Sequence, residues 1–247
     1  MAAKRDRRGA VLMVRLYFYV EGQTEQGYAA RVLRPHLAGF GVQVMGAVRA
    51  ASGRKHGHVS RGGGGPYRPM RKGLGNLLRQ HKGADTRFTT MFDLYALHDG
   101  FPGWDEAEKQ RHIPRERVLT LERAFAADVG DHRFIPHIQL HEFETILLCQ
   151  PSHFALVYED SGAGIAALQA AVAAATSPEL VNDAETTAPS KRIISQFPQY
   201  NGQKTTIGVE LAHCVGIDTT RSLCAHFDRW LKTLESLGPS PAGGASA

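Results

Sequence analysis

Three runs of strand-forming residues in this chain each stop at an acidic side chain. Val14 to Val20 runs into Glu21-Gly22, Arg87 to Phe92 into Asp93, and Arg133 to Leu140 into His141-Glu142-Phe143-Glu144. In open α/β sheets ligands bind outside the carboxyl ends of the strands, so acids at those tips are candidates for chemistry. If the strands are parallel, all three tips share one edge, and Glu21, Asp93, Glu142 and Glu144 can converge. Two bare carboxylates about 4 Å apart repel by about 4 kcal/mol at an effective dielectric near 20, so such a cluster needs protons, cationic side chains or a metal. Oxygen-rich sites with open positions suit Mg²⁺ or Mn²⁺. Such an ion serves phosphodiester hydrolysis by activating water, polarising the phosphoryl oxygen and stabilising the leaving oxygen. Glu25 lies in the first turn of the helix after Gly22, where it serves either the helix dipole or the same chemistry.

A phosphate-binding segment is also legible. From Arg49 to Lys72 the chain carries Arg49, Arg54, Lys55, Arg61, Arg68, Arg71 and Lys72 with no acidic residue, and Gly62-Gly63-Gly64-Gly65 lies in the middle. A glycine run lets backbone N–H groups approach an anion closely, and the clustered cations are an electrostatic footprint for nucleic acid. Arg54, Lys55, Arg61 and Lys72 are the candidate phosphate contacts. The segment is not a Walker A loop, because the G-x-x-x-x-G-K-[ST] spacing is absent. The H-E-x-x-H zinc pattern fails at Thr145, which removes a metalloprotease.

The elements that position these residues follow from periodicity. Val14-Arg15-Leu16-Tyr17-Phe18-Tyr19-Val20 reads as a buried strand. Thr24 suits the N-cap of a helix through Tyr28, Val32 and Leu33, and Val42 to Met45 resembles a second strand. Met70, Leu74, Leu77 and Leu78 recur at helical spacing after Tyr67. Gly100 to Trp104 reads as a loop, Val118, Leu121 and Phe125 as a helix face, and Thr145 to Leu148 as a helix. Strands alternating with helices imply βαβ units and an α/β fold with a mainly parallel sheet flanked by helices. Beyond Pro151 the signal is helical: Ile165 to Ala175, Lys191 to Phe197, Lys204 to Cys214, and a helix capped by Asp218 that turns Leu223, Phe227, Trp230, Leu231 and Leu234 inward. The expected division is a flexible start over 1–11, an α/β domain over 12–150, a helical region over 151–238 and a disordered tail over 239–247.

Composition bounds the class. The 247 residues suffice for a substantial core, and the net charge of +5 with a pI near 9.2 favours polyanionic partners. Cys149, Cys214 and Cys224 are odd in number and lack C-x-x-C spacing, so they read as reduced thiols with neither a disulfide framework nor a zinc site. No apolar run approaches the roughly 20 residues that span a bilayer, and the start lacks a secretory h-region, which predicts a cytoplasmic protein without membrane contact.

The acidic tips resemble the TOPRIM nuclease and primase fold, with its glutamate after the first strand and D-x-D after a later one. Val20 to Glu25, Met91-Phe92-Asp93-Leu94-Tyr95 with Phe101-Pro102-Gly103, Gln139 to Glu144, and Ala188-Pro189-Ser190-Lys191-Arg192 resemble, more narrowly, a TOPRIM-like family of unknown-function proteins that accompany ABC-type ATPases in anti-phage loci. The resemblance implies a metal-dependent endonuclease acting on tRNA or DNA as a defence effector, with an ATPase that restrains or activates it. It gives Glu21 the role of metal ligand or general acid/base, and places Lys191, Arg192 and Lys204 near the phosphate. Tyr95 stands where the general pattern has a second Asp, so the missing oxygen falls to Glu142 or Glu144. That departure keeps a non-catalytic, ATPase-binding subunit in play, and the basic segment keeps a nucleic-acid-binding module without hydrolysis. The oligomeric state is left open, with homo-oligomers allowed.

Overall fold

A computed structural model describes residues 13–55, 58–61, 66–98, 100–181 and 187–239, with the backbone alone over 51–55 and 58–61. The expected flexible start over 1–11 lies outside the described residues, as do the Gly62–Gly65 run, Asp99 and all of the expected tail but Pro239.

Strand β1 (Val14–Val20) is followed by α1 (Gln23–Tyr28), which continues through a π-helical turn into α2 (Arg34–Ala38). Then come β2 (Val42–Arg49), a hairpin of β3 (Ala51–Lys55) and β4 (His58–Arg61), α3 (Tyr67–Gln80), β5 (Thr86–Asp93), α4 (Trp104–Lys109) and α5 (Pro114–Val129). The two-residue strands β6 (Phe134–Ile135) and β7 (Ile138–Gln139) close the sheet, and α6 (Gly162–Ala175), α7 (Pro189–Gln196), α8 (Val209–Leu223) and α9 (Ala225–Glu235) follow. The sheet order is β2-β1-β5-β6 with β7 also on β5, and every pairing in it is parallel. The α/β class with a mainly parallel sheet and C-terminal helices is as the sequence implies.

Alternation along β1 divides the molecule into layers, because successive side chains of a strand face opposite sides. Leu16, Phe18 and Val20 face a core that holds Tyr28 and Leu33 together with Leu211, Phe227, Trp230 and Leu231. Tyr19 faces the other core, with Met70, Leu74 and Leu77 of α3 and Val118, Leu121 and Phe125 of α5. The C-terminal helices therefore share a core with β1 and α1. Full burial of each such Phe or Leu stabilises by about 1.5–3 kcal/mol. Trp230 ties the layers further, its Nε1 donating to Thr89 Oγ1 at 2.9 Å. Gly73, a poor helix former inside α3, has a packing reason: a Cβ there would collide with the Tyr19 hydroxyl, which donates to Met70 O.

Several local expectations are corrected. The first helix starts two residues earlier than a Thr24 cap predicts, with Gly22 as N-cap. The second strand runs on to Arg49 past a bulge, where the partner of β1 shifts from Val44 to Gly46; the extra residue breaks the two-residue alternation that marks the strand. Part of the basic loop is the β3–β4 hairpin, and Trp104 starts α4 rather than ending a loop. The strand over Arg133 to Leu140 is interrupted, because Pro136 has no N–H for the ladder. Thr90 Oγ1 fills the gap, accepting from His137 N at 2.8 Å and donating to His137 O at 2.9 Å. In place of a helix over Thr145 to Leu148 the chain makes two 3₁₀ turns, Phe143–Thr145 and Leu147–Cys149. Asp218 does not cap a helix: it lies inside α8 just past a kink at Gly216, and α9 starts after Cys224, leaving Leu223 exposed.

Candidate functional site

The sheet order reverses between β1 and β5, the kind of switch point at which open α/β sheets bind ligands. Glu21 follows β1 and its N–H still bonds Met91 O at 3.3 Å, so the side chain leaves the sheet at its carboxyl edge. Its Oε2 accepts the N–H of Asp93, the last residue of β5, at 3.1 Å. Glu25, the third residue of α1, reaches back to the Gly22 N–H at 2.7 Å and so closes the helix start. The capping and site readings of Glu25 coincide in one buried position.

The third acidic segment arrives through an uncommon backbone. His141 has φ 67°, a left-handed conformation rare outside glycine, and it redirects the chain as it leaves β7. Glu142 follows in extended conformation and Glu144 lies within the first 3₁₀ turn. Glu142 Oε2 accepts the Ser190 N–H at 2.8 Å, in the first turn of α7. Glu144 Oε1 accepts from the Tyr200 hydroxyl at 3.3 Å and pairs with Lys204 Nζ at 3.1 Å. Glu21, Glu25, Asp93, Glu142 and Glu144 thus meet at one pole, with Lys204 among them.

Their mutual field is visible in their protonation. Burial, then the charge of Glu25, pushes Glu21 up to about 8. Asp93 is raised well above the carboxylate range by burial and then by Glu21, Glu25, Glu144 and Glu142. Burial also raises Glu25 and Glu144; backbone N–H groups and Lys204 moderate the first, and Lys204 the second. Asp93 Oδ1 is buried with no hydrogen-bond partner among the described residues. Crowded acids that hold protons for want of a counter-charge, together with an orphaned buried oxygen, fit a hard divalent cation. Glu21, Asp93, Glu142 and Glu144 are the oxygens that would hold it.

Among the described residues no ion pair joins Lys72, Lys191 or Arg192 to these acids. Lys72 is exposed on α3 and Lys191 on α7, while Arg192 Nε donates to Thr187 O at 2.8 Å. Arg54, Lys55 and Arg61 stand on the β3–β4 hairpin, and their side chains lie outside the described residues. Tyr95, where a second acid would stand, stacks on His141 with ring centroids 5.7 Å apart. Residues that sequence reasoning missed are Tyr200 and Ser190. Tyr200 carries no local signal and Ser190 only its place in the Ala188–Arg192 motif, since they reach Glu144 and Glu142 from about 50 residues away through the docking of the C-terminal segment.

A second polar group gathers around His137 and Ile138. Glu122, His137 and His226 bring donor atoms within 4.8 Å of one another, a spacing that could hold a metal. As it stands the group is a hydrogen-bonded tie. Glu122 accepts from Ile138 N at 3.0 Å and Arg229 Nη2 at 2.9 Å, and His226 Nε2 contacts both Glu122 Oε1 and Ile138 O at 3.0 Å. His137 is held neutral by burial and by the neighbouring His226, its ring flat against Trp230 at 4.1 Å. An ion here would have to displace the His226 contact with Ile138 O and face the Arg229 guanidinium. Cys149, Cys214 and Cys224 are free thiols.

Among the described residues no helix is long and apolar enough to cross a membrane. No curated protein matches this chain, and no solved structure does. One family model matches residues 20–235, from the end of β1 through the last residue of α9, and by that extent the chain belongs to the family described as a domain of unknown function, DUF4276.

Proposed function

We propose that the chain is a metal-dependent hydrolase of nucleic-acid phosphodiesters, TOPRIM-like in design, serving as an anti-phage effector with an ABC-type ATPase partner. The observation that supports it is the convergence of Glu21, Glu25, Asp93, Glu142 and Glu144 at the switch point of a parallel sheet, where burial and mutual repulsion keep acids protonated. Bound there, Mg²⁺ or Mn²⁺ supplies polarisation of the phosphoryl oxygens and acidification of water. The chain's own groups do the rest. Asp93 N–H, Gly22 N–H and Ser190 N–H fix the orientations of Glu21, Glu25 and Glu142. Tyr200 and Lys204 hold Glu144, and in this reading Lys204 turns from that carboxylate to a substrate phosphate. The partner and the substrate, tRNA or DNA, come from the family resemblance of the motifs.

Incubation of the purified chain, with and without its candidate ATPase, against tRNA and plasmid in Mg²⁺ or Mn²⁺ tests the reading. Cleavage that stops on adding EDTA, and that Glu21→Ala lacks while remaining folded, supports it. Absence of cleavage under every condition, or cleavage indifferent to EDTA, overturns it. The position of Tyr95 favours the rival reading, a non-catalytic subunit that regulates the ATPase: an aromatic ring stacked on His141 takes the place of the second acid. That rival predicts that Glu21→Ala keeps its effect in cells.

A further inference from the structure

The outer face of α3 carries a second anion-binding feature, separate from the carboxylates. Arg68, Arg71, Lys72 and Arg79, with Tyr67 and Gly75, line an open groove of ≈ 290 Å³. From Tyr67 to Gln80 the helix has no acidic residue. The guanidinium groups of Arg71 and Arg79 converge over Gly75: a Cβ at that glycine would lie 3.3 Å from Arg71 Nη1 and 3.4 Å from Arg79 Nη1. Both guanidinium groups thus border the same stretch of open surface, where an anion can meet the two together. Arg71 is fixed from behind, its Nε bonding Asp128 Oδ2 at 2.7 Å and its Nη2 bonding Asp128 O at 3.1 Å, which turns Nη1 toward the groove. Arg79 is steadied by Asn76 Oδ1 at 2.5 Å. Asp128, which meets this face, is taken up by Arg71 and by the Tyr67 hydroxyl.

We infer that the α3 face, Arg68, Arg71, Lys72, Gly75 and Arg79, is a track for the phosphate backbone of a nucleic-acid strand. The eleven steps from Arg68 to Arg79 rise about 16 Å along the helix. A duplex strand presents a phosphate about every 3.4 Å of axis, so the track faces several in succession, which a small phosphate ester would not need. Gly75, without a side chain, forms the floor on which a phosphate oxygen meets both guanidinium groups. The track also leads to the carboxylate pole: Met70, near its start, accepts a hydrogen bond from Tyr19 at the carboxyl end of β1, whereas His81, beyond its end, stacks on Tyr17 farther back along that strand. The inference rests on the nucleic-acid reading above and assigns the surface that would guide the strand to the acids.

The test measures binding without turnover. The Glu21→Gln protein in EDTA is titrated with fluorescein-labelled DNA and RNA strands by anisotropy, between about 50 and 200 mM salt. Replacing Arg68 and Arg79 with Gln should weaken binding about tenfold or more and make the log–log salt slope shallower by about 1–2. Gly75→Ala should weaken binding while leaving the melting temperature unchanged or higher, because Ala favours a helix interior. Lys109→Gln, on the exposed face of α4, should change neither. Wild-type affinity and slope in the Arg68/Arg79 variant overturn the track, as does competition by polyglutamate equal to that by nucleic acid of the same charge. A hydrolysis assay separates the two readings. Cleavage with unaltered binding in the α3 variants sinks the track alone, and binding lost in those variants by a chain that cleaves nothing sinks the hydrolase alone.

Discussion

The protonation of Glu21 gives a prediction that needs no substrate. In the metal-free protein this carboxyl is lifted from its ordinary 4.5 to about 8, by burial first and then by the charge of Glu25. The folded chain therefore binds more protons than the unfolded one between about pH 4.5 and pH 8, so stability is greatest below that window and falls as pH rises through it. A rise of this size corresponds to at most about 5 kcal/mol at 1.36 kcal/mol per pH unit. Because Glu21 titrates together with its neighbours, a single substitution should read roughly 1–3 kcal/mol of it. Glu21→Gln is the perturbation, since Gln has the shape of the protonated acid and its carbonyl oxygen can still accept the Asp93 N–H. In EDTA the variant should match the wild type near pH 5 and exceed it near pH 8 by about 5 °C in thermal unfolding, at roughly 2–4 °C per kcal/mol for a chain of this size. Added Mg²⁺ should stabilise the wild type at pH 8, because a cation replaces the missing counter-charge, and should stabilise the variant less. Equal destabilisation of the variant at both pH values would refute the electrostatic account, leaving Glu21 as an ordinary packed side chain.

The remaining predictions concern the neighbouring residues and the frame. Glu144→Ala should reduce metal-dependent cleavage by at least about 100-fold, more than loss of an outer contact costs; steady-state kinetics with intact activity would remove Glu144 from the ligand set. Phe18→Ala, at a fully buried position on β1, should cost about 3–5 kcal/mol in urea unfolding, and a smaller loss would mean that the layer refills the space. The thiols should react with an aromatic disulfide reagent in a fixed order. Exposed Cys214 should go first and half-buried Cys149 later, and Cys224 only on unfolding, since its contact with Cys149 at 3.4 Å and its burial hold it protonated.

How much of this was legible in the sequence depends on the range of the forces concerned. The run from Val14 to Val20, the stripe Met70, Leu74, Leu77 and Leu78, and the face Val118, Leu121 and Phe125 are set by local periodicity, and each is found where that periodicity puts it. The placement of acids at strand ends follows from the same signal, because the residue after a parallel strand must emerge at the carboxyl edge. What the sequence leaves unsaid is held by contacts between distant segments. Thr90 substitutes for the ladder around Pro136, Tyr200 and Lys204 close on Glu144, and Glu122 gathers Arg229 and the Ile138 N–H. Each of these is a buried polar group whose partner is dictated by the penalty for leaving it unmatched. Such a requirement names no particular partner until the helices after Pro151 have docked.

The same reasoning explains why Lys204, which the family resemblance put near the phosphate together with Lys191 and Arg192, lies among the acids of the pole. A lysine in the turn before α8 has no pattern to distinguish it from Lys191 or Arg192. Glu144, however, is 5% exposed, and a carboxylate buried that deeply beside Glu142 requires a positive partner or a proton. The packing of α8 against α1 supplies the partner, since the turn that starts with Lys204 contacts α1 directly. The C-terminal helices are therefore part of the carboxylate pole as much as of the core: removing them would strip Glu144 of both Tyr200 and Lys204, and Glu142 of its helix N–H. An α/β fragment ending near residue 150 should therefore show no metal-dependent cleavage even where the full chain does, and cleavage by such a fragment would refute this role of the C-terminal helices.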